Sequence, residues 1–193
     1  MEFLDPDKEY ENQIKLIVLI VGKSSIGKSC FCKRLNLSYT KFQQLNLRYE
    51  ASIGFEYHKK VFKLKNNIFS INIWDTCGQE IFRKLIKNFE INTNIFLIFY
   101  DALDRNSFEI AKSYFEESKI NCKTRNPIYV LVRNKYEKVL DREEKNDIVT
   151  DEEALKYADE NNIDFAHIGI LDKYETGIND LFEFILKKYI NNN

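Results

Sequence analysis

Three short runs combine residue types that can do chemistry together. The first, GKSSIGKS at 22–29, fits the spacing Gly-x-x-x-x-Gly-Lys-Ser. In such a run successive backbone N–H groups curl around an anion, glycine permits close approach, and the helix that follows adds a favourable dipole. Lys28 then bridges the β- and γ-phosphates of a nucleotide and the Ser29 hydroxyl binds Mg2+. The second run is WDTCGQE at 74–80. Asp75 stands where a strand ends, a position from which a carboxylate holds Mg2+ through water; Gly78 can offer its N–H to a γ-phosphate, and Gln79 can orient an attacking water. The third run, Asn134-Lys135-Tyr136-Glu137, directly follows a strand-like segment. These residues suit the edge of a nucleotide base and suit an ordinary polar turn equally well.

These runs need a scaffold, and the composition supplies one. A chain of 193 residues is long enough for one well-buried domain and short for two. Its 44% hydrophobic and 31% charged residues are globular proportions, and a net charge near −1 gives no reason to expect attraction to nucleic acid or acidic membranes. Cys30, Cys32, Cys77 and Cys122 lack zinc-ribbon spacing and no secretory leader precedes them, so a reducing, cytoplasmic setting is expected. Cys30-Phe31-Cys32 reads as two small residues at a helix start. No apolar run reaches membrane-spanning length. Met1-Glu2 is not a myristoylation signal, and Asn191-Asn192-Asn193 offers no cysteine for prenylation. Membrane association is therefore expected only through partners.

The elements alternate. Residues 1–13 are charged and read as a loose extension; 14–190 form the domain, and 191–193 a polar tail. IKLIVLIV (Ile14 to Val21) is a continuous apolar run, the mark of a strand buried on both faces. A helix through Leu35 follows the glycine-bearing loop. FEYHKKVFKLK alternates and is rich in lysine, as an edge strand is, and Asn66-Asn67 turns it into IFSINIWD. A short helix around Phe82 to Phe89, the strand IFLIFYD, a helix with Phe108, Ala111 and Phe115 on one face, and the strand Ile128 to Val132 come next. Thr150 with Glu153 resembles a capping box for a helix over 151–161, IDFAHI is a short last strand, and Ile178, Leu181, Phe182, Ile185 and Tyr189 stripe the final helix. This pattern predicts an α/β, three-layer, doubly wound fold with a six-stranded, mostly parallel sheet, one antiparallel edge strand and helices on both faces. Ligands of such sheets sit at the carboxyl ends of the strands, where all three runs fall.

Gly-x-x-x-x-Gly-Lys-Ser, then Trp-Asp-Thr-x-Gly-Gln-Glu, then Asn-Lys-x-acid, in this order, resembles the P-loop fold of Ras-superfamily small GTPases. Trp74, SIGFEY at 52–57 and FYDALDRNSFE at 99–109 are most similar to the Rab branch. The likeness spans roughly 14–189. It implies that Gly22, Ser25, Ile26, Gly27, Lys28, Ser29 and Cys30 cradle the phosphates of GTP or GDP, with Lys28 and Gln79 acting in slow hydrolysis. It implies that Ser52 stands where the family has a Mg2+-binding threonine, so that Ser29, Ser52 and Asp75 form the metal set. Asn134, Lys135 and Glu137 would hold the guanine, and Tyr39 or Phe42 would press on its edge. Effectors, an exchange factor and a GTPase-activating protein would engage two switch regions, around Ser52 and from Gln79 to Leu85, of a monomer on the cytosolic face of intracellular membranes.

The chain also departs from the pattern. Ser25 replaces a usual glycine, Cys77 a usual alanine, and the segment from Cys30 to Ser52 is several residues longer than expected. The family's Ser-Ala-Lys run is replaced by HIGILDK, which leaves Gly169 and Ile170 near the base. Glu137 stands where the family has aspartate, its two oxygens one methylene further out. An alternative reading follows: a GTPase fold with weakened guanine binding that serves as an interaction module.

Overall fold

The structure is a computed structural model that describes residues 1–36, 54–77, 83–134, 148–169 and 177–193. Among these, the strands are β1 (Glu2–Leu4), β2 (Ile14–Val21), β3 (Phe55–Leu64), β4 (Asn67–Thr76), β5 (Ile95–Asp101), β6 (Ile128–Asn134) and β7 (Asp164–His167). The helices are α1 (Lys28–Asn36), α2 (Arg83–Glu90), α3 (Arg105–Asn121), α4 (Asp151–Glu160) and α5 (Ile178–Asn192). One sheet takes all seven strands in the order β1-β3-β4-β2-β5-β6-β7. β4, β2, β5, β6 and β7 run parallel, and β3 is antiparallel to β4 through ten residue pairs.

Burial explains the layering. Successive side chains of a strand point to opposite faces. On β2, Leu16, Val18 and Ile20 join Phe31 and Cys32 of α1 and the α5 stripe Ile178, Leu181, Phe182, Ile185 and Leu186. Leu19 and Val21 point the other way, to Ile86 of α2, Phe108, Ala111 and Phe115 of α3, and Ala154 and Ala158 of α4. Every residue of β5 is buried, which is why its sequence shows no alternation. Burial of each such large apolar side chain contributes about 1.5–3 kcal/mol, so each helix is held chiefly by its inner stripe.

The sheet has one strand more than the six expected, and that strand comes from the N-terminal extension. Glu2–Leu4 pairs antiparallel with Val61–Lys63, so β3 is not the outermost strand there. Pairing of this kind uses main-chain groups, which the charged composition of residues 1–13 conceals. Two further contacts support it: the Phe3 ring lies 4.9 Å from that of Phe62, and the N-terminal amino group of Met1 lies 3.8 Å from Glu183 on α5. The capping box before α4 is only half formed. Thr150 Oγ1 accepts from the Glu153 backbone N–H at 3.2 Å, but the Glu153 carboxylate is taken by Arg105 at 2.7 and 2.9 Å.

Candidate functional site

The parallel strands β4, β2, β5, β6 and β7 all end on one side of the sheet. After β2 the chain goes out to β3 and returns through β4 beside β2; after β4 it crosses to build β5, β6 and β7 on the other side. That reversal places the loop between β2 and α1 at the crevice where doubly wound sheets bind ligands.

Residues 22–27 turn sharply within this crevice. Gly22, Ser25 and Gly27 adopt φ of 139°, 70° and 102°, so the backbone alternates in hand, as a loop curling around an anion does. Helix α1 starts at Lys28, and Phe31 donates its N–H to the Gly27 carbonyl at 2.9 Å. Lys28 is 4% exposed, and its Nζ donates to the carbonyls of Gly22 (3.0 Å) and Lys23 (2.8 Å), closing the loop on itself. Burial pushes the Lys28 ammonium down to about 8, against the pull of the Asp75 carboxylate. Ile26 is buried, while Ser29 and Cys30 are half-buried. The loop is pinned from outside by Lys23 to Asp104 Oδ2 at 2.6 Å and by Asn134, whose Nδ2 donates to the Ile26 carbonyl at 2.6 Å.

Ser25 is the strained member. A non-glycine residue in the left-handed region costs roughly 1–2 kcal/mol, against about 0.5–1 kcal/mol lost when glycine is ordered. Ser25→Gly should therefore stabilise the protein by up to about 1 kcal/mol in denaturant unfolding. A net loss would show that the Ser25 side chain contributes more than its backbone costs.

A divalent cation fits beside Ser29. Asp75 ends β4 at 1% exposure, and neither carboxylate oxygen completes a hydrogen bond of ordinary geometry. Burial raises its pKa, while the nearby Ser29 hydroxyl and the Lys28 charge favour the ionised form. A buried carboxylate next to a hydroxyl is the hard oxygen set that Mg2+ takes. Thr76 holds the strand end in place by donating from Oγ1 to the Ile20 carbonyl at 2.9 Å.

Further along the crevice lie Asn134, 3% exposed at the end of β6, and the buried Gly169 just past β7. Ile168 donates its N–H to the Arg133 carbonyl at 2.9 Å, which sets the start of that loop beside β6. Tyr39, Phe42, Ser52, Gly78, Gln79, Lys135, Glu137 and Ile170 lie outside the described residues. The structure thus brings together Gly22, Ser25, Ile26, Gly27, Lys28, Ser29, Cys30, Asp75 and Asn134, with Gly169 on the far side.

Two features of the site escape a reading of the sequence. Asn134 reads in the sequence as a base contact, yet its amide also ties the end of β6 to the loop after β2. Arg133, 2% exposed within β6, forms an ion pair with Asp151 and donates from Nη2 to the Val149 carbonyl at 3.3 Å. It thereby joins the strand before the 135–147 segment to the chain after it. The only signal was a charged residue in an otherwise apolar strand.

Fold and crevice together define a P-loop nucleotide-binding protein of the doubly wound class. The sequence pattern of the Ras family matches residues 16–191, and the chain belongs to that family. It is 30% identical to the Ras-related protein Rab-11B of Dictyostelium discoideum, over 92% of this chain and 76% of that protein. It is also 30% identical to the GTP-binding protein YPT1 of Saccharomyces cerevisiae, over 91% of this chain and 78% of the relative. A probable Rab-related GTPase of Acanthamoeba polyphaga mimivirus is 28% identical over 89% of this chain and 74% of its own length. The chain is a Rab-like small GTPase.

Proposed function

We propose that this chain is a GTP/GDP switch in vesicle transport, binding guanine nucleotide with Mg2+ and hydrolysing GTP slowly until an activating partner engages it. The observation that carries this reading is the pinned loop itself: Lys28 and Ser29 sit at the crevice beside Asp75, and Asn134 locks the loop to the base side. Gly22, Ser25, Ile26, Gly27, Lys28, Ser29 and Cys30 cradle the phosphates. Asn134, Lys135 and Glu137 hold the guanine, Gly169 and Ile170 serve the base loop with a backbone N–H toward the guanine carbonyl oxygen, and Tyr39 or Phe42 presses on the base edge. Ser29, Ser52 and Asp75 hold Mg2+, which when bound neutralises charge on the β- and γ-phosphate oxygens. Gly78 and Gln79 face the γ-phosphate, and Gln79 orients the attacking water.

The switch regions around Ser52 and from Gln79 to Leu85 form the surface that effectors, an exchange factor and an activating protein read, because the γ-phosphate orders them. The chain works on the cytosolic face of intracellular compartments. Among the described residues no helix is long and apolar enough to cross a membrane. The direct test is to denature the purified protein and identify the released nucleotide by chromatography. Guanine nucleotide is expected; an empty site or adenine nucleotide would overturn the reading.

Two substitutions test its parts. Gln79→Leu should slow single-turnover GTP hydrolysis by about ten- to a hundredfold without releasing nucleotide, since a water out of line loses roughly that much. An unchanged rate removes Gln79 from the mechanism. Glu137→Asp should tighten GDP binding by roughly tenfold, the gain of about 1.4 kcal/mol that one better-formed bond to a charged acceptor supplies. Weaker binding would mean that the loop is built around the longer acid.

A further inference from the structure

Behind the nucleotide crevice, three metal-ligating side chains from three different elements meet under α1. Cys32 lies four residues after Lys28, on the same buried face of the helix. His58 on β3 and Asp75 on β4 share one face of the sheet, because Glu56 pairs with Asp75 and His58 with Ile73. One ligand atom from each of Cys32, His58 and Asp75 lies within 4.8 Å of the other two. Cys32 and Asp75 are each 1% exposed, and His58 borders solvent. None of the four cysteines forms a disulfide.

We propose that Cys32, His58 and Asp75 form a binding site for a soft divalent cation of the Zn2+ class, with a donor set different from the proposed Mg2+ set of Ser29, Ser52 and Asp75. Thiolate, imidazole and carboxylate are the donor set that selects Zn2+, and Mg2+ prefers oxygen ligands alone. With bonds of about 2.0–2.3 Å, tetrahedral ligand atoms stand roughly 3.3–3.8 Å apart, so small side-chain rotations close the site. Coordination transfers the thiol proton to solvent as the metal–sulfur bond forms, and thiolate and carboxylate together balance the divalent charge. Glu56 stands at the solvent side, its Oε2 3.7 Å from His58 Nε2, where it fixes the imidazole or offers a further oxygen. Occupation engages Asp75, the carboxylate that the proposed Mg2+ set also uses. On that reading of the nucleotide site, Zn2+ loosens the hold on Mg2+ and nucleotide, and the site is a metal-sensitive brake on the switch.

The experiment titrates the full chain with Co2+ as an optical stand-in for Zn2+, after its nucleotide content has been recorded. A thiolate-to-cobalt charge-transfer band is expected, saturating at one equivalent, abolished by stoichiometric Zn2+ and unaffected by excess Mg2+. Cys32→Ser should lose the band, and His58→Gln should weaken Co2+ binding by at least about 10–100-fold. Cys30→Ser and Cys77→Ala should retain the band. Circular dichroism establishes that each variant is folded; His58, at the solvent border, decides the matter if Cys32→Ser does not fold. Absence of the band, its survival in Cys32→Ser, or its dependence on Cys30 or Cys77 overturns the site. Guanine nucleotide recovered from a protein with no band removes the metal site alone. A band from a protein that binds no guanine nucleotide upholds the metal site and removes the brake.

Discussion

Lys28→Met should leave the protein folded and cost guanine nucleotide affinity by roughly 10²–10⁴-fold, the loss of two hydrogen bonds from a charged donor at about 1.5–3 kcal/mol each. The structure explains why the two effects separate. Within the loop the Lys28 ammonium is nearly sealed from water and satisfied by the carbonyls of Gly22 and Lys23. Burial disfavours the charge by desolvating it and lowers the Lys28 pKa to about 8. On the proposed function, phosphate oxygens would reverse that balance by bringing negative charge to the same point, so nucleotide binding would relieve a cost already present in the fold. Methionine keeps the unbranched chain and the packing while removing the charge, so the stability lost is limited to two undonated carbonyls, about 1–3 kcal/mol each, offset by no longer desolvating the ammonium. Nucleotide content after gel filtration reads the first effect and denaturant unfolding the second. Retention of nucleotide at wild-type affinity would place the phosphates elsewhere.

The same residues show which parts of the fold and site the sequence makes legible. Strands β2 and β5 declare themselves because a strand buried on both faces must be apolar throughout, and the loop after β2 declares itself because anion binding demands glycine, lysine and serine in contiguous positions. Thr150 before α4 is legible for a similar reason: its cap bond is local. What is not legible depends on partners far away in the chain. The Glu153 carboxylate goes to Arg105, 48 residues earlier, and Asn134 reaches Ile26 across 108. Strand β1 is invisible because its pairing with Val61–Lys63 is made by main-chain groups. Cys32, His58 and Asp75 are separated by a helix, a long segment and a hairpin, so no spacing rule unites them. Cys30-Phe31-Cys32 drew attention as a pair, whereas the helix turns Cys32 inward to join the core and leaves Cys30 only half-buried.

Gly22→Ala should damage the site severely. Its φ of +139° already disfavours any side chain, at roughly 1–2 kcal/mol. The added Cβ would lie 2.4 Å from the Phe99 carbonyl oxygen and 2.8 Å from Ile26 Cδ1. Phe99 belongs to β5, which pairs with β2 on one side and β6 on the other, so its carbonyl cannot retreat without parting the sheet. Overpacking of that kind costs a further 1–3 kcal/mol or so, for a total of about 2–5 kcal/mol in unfolding free energy. Gly54→Ala separates the two contributions. Gly54 has φ +89°, and a Cβ there meets nothing within 4 Å among the described residues, so it should lose only the backbone share. Equal losses in the two variants would exclude the clash with β5. A larger loss at Gly22, accompanied by weakened nucleotide binding, would tie the two together: the Gly22 carbonyl that holds Lys28 keeps its place because its own Cα has no side chain, and the phosphate site depends on that contact between β2 and β5.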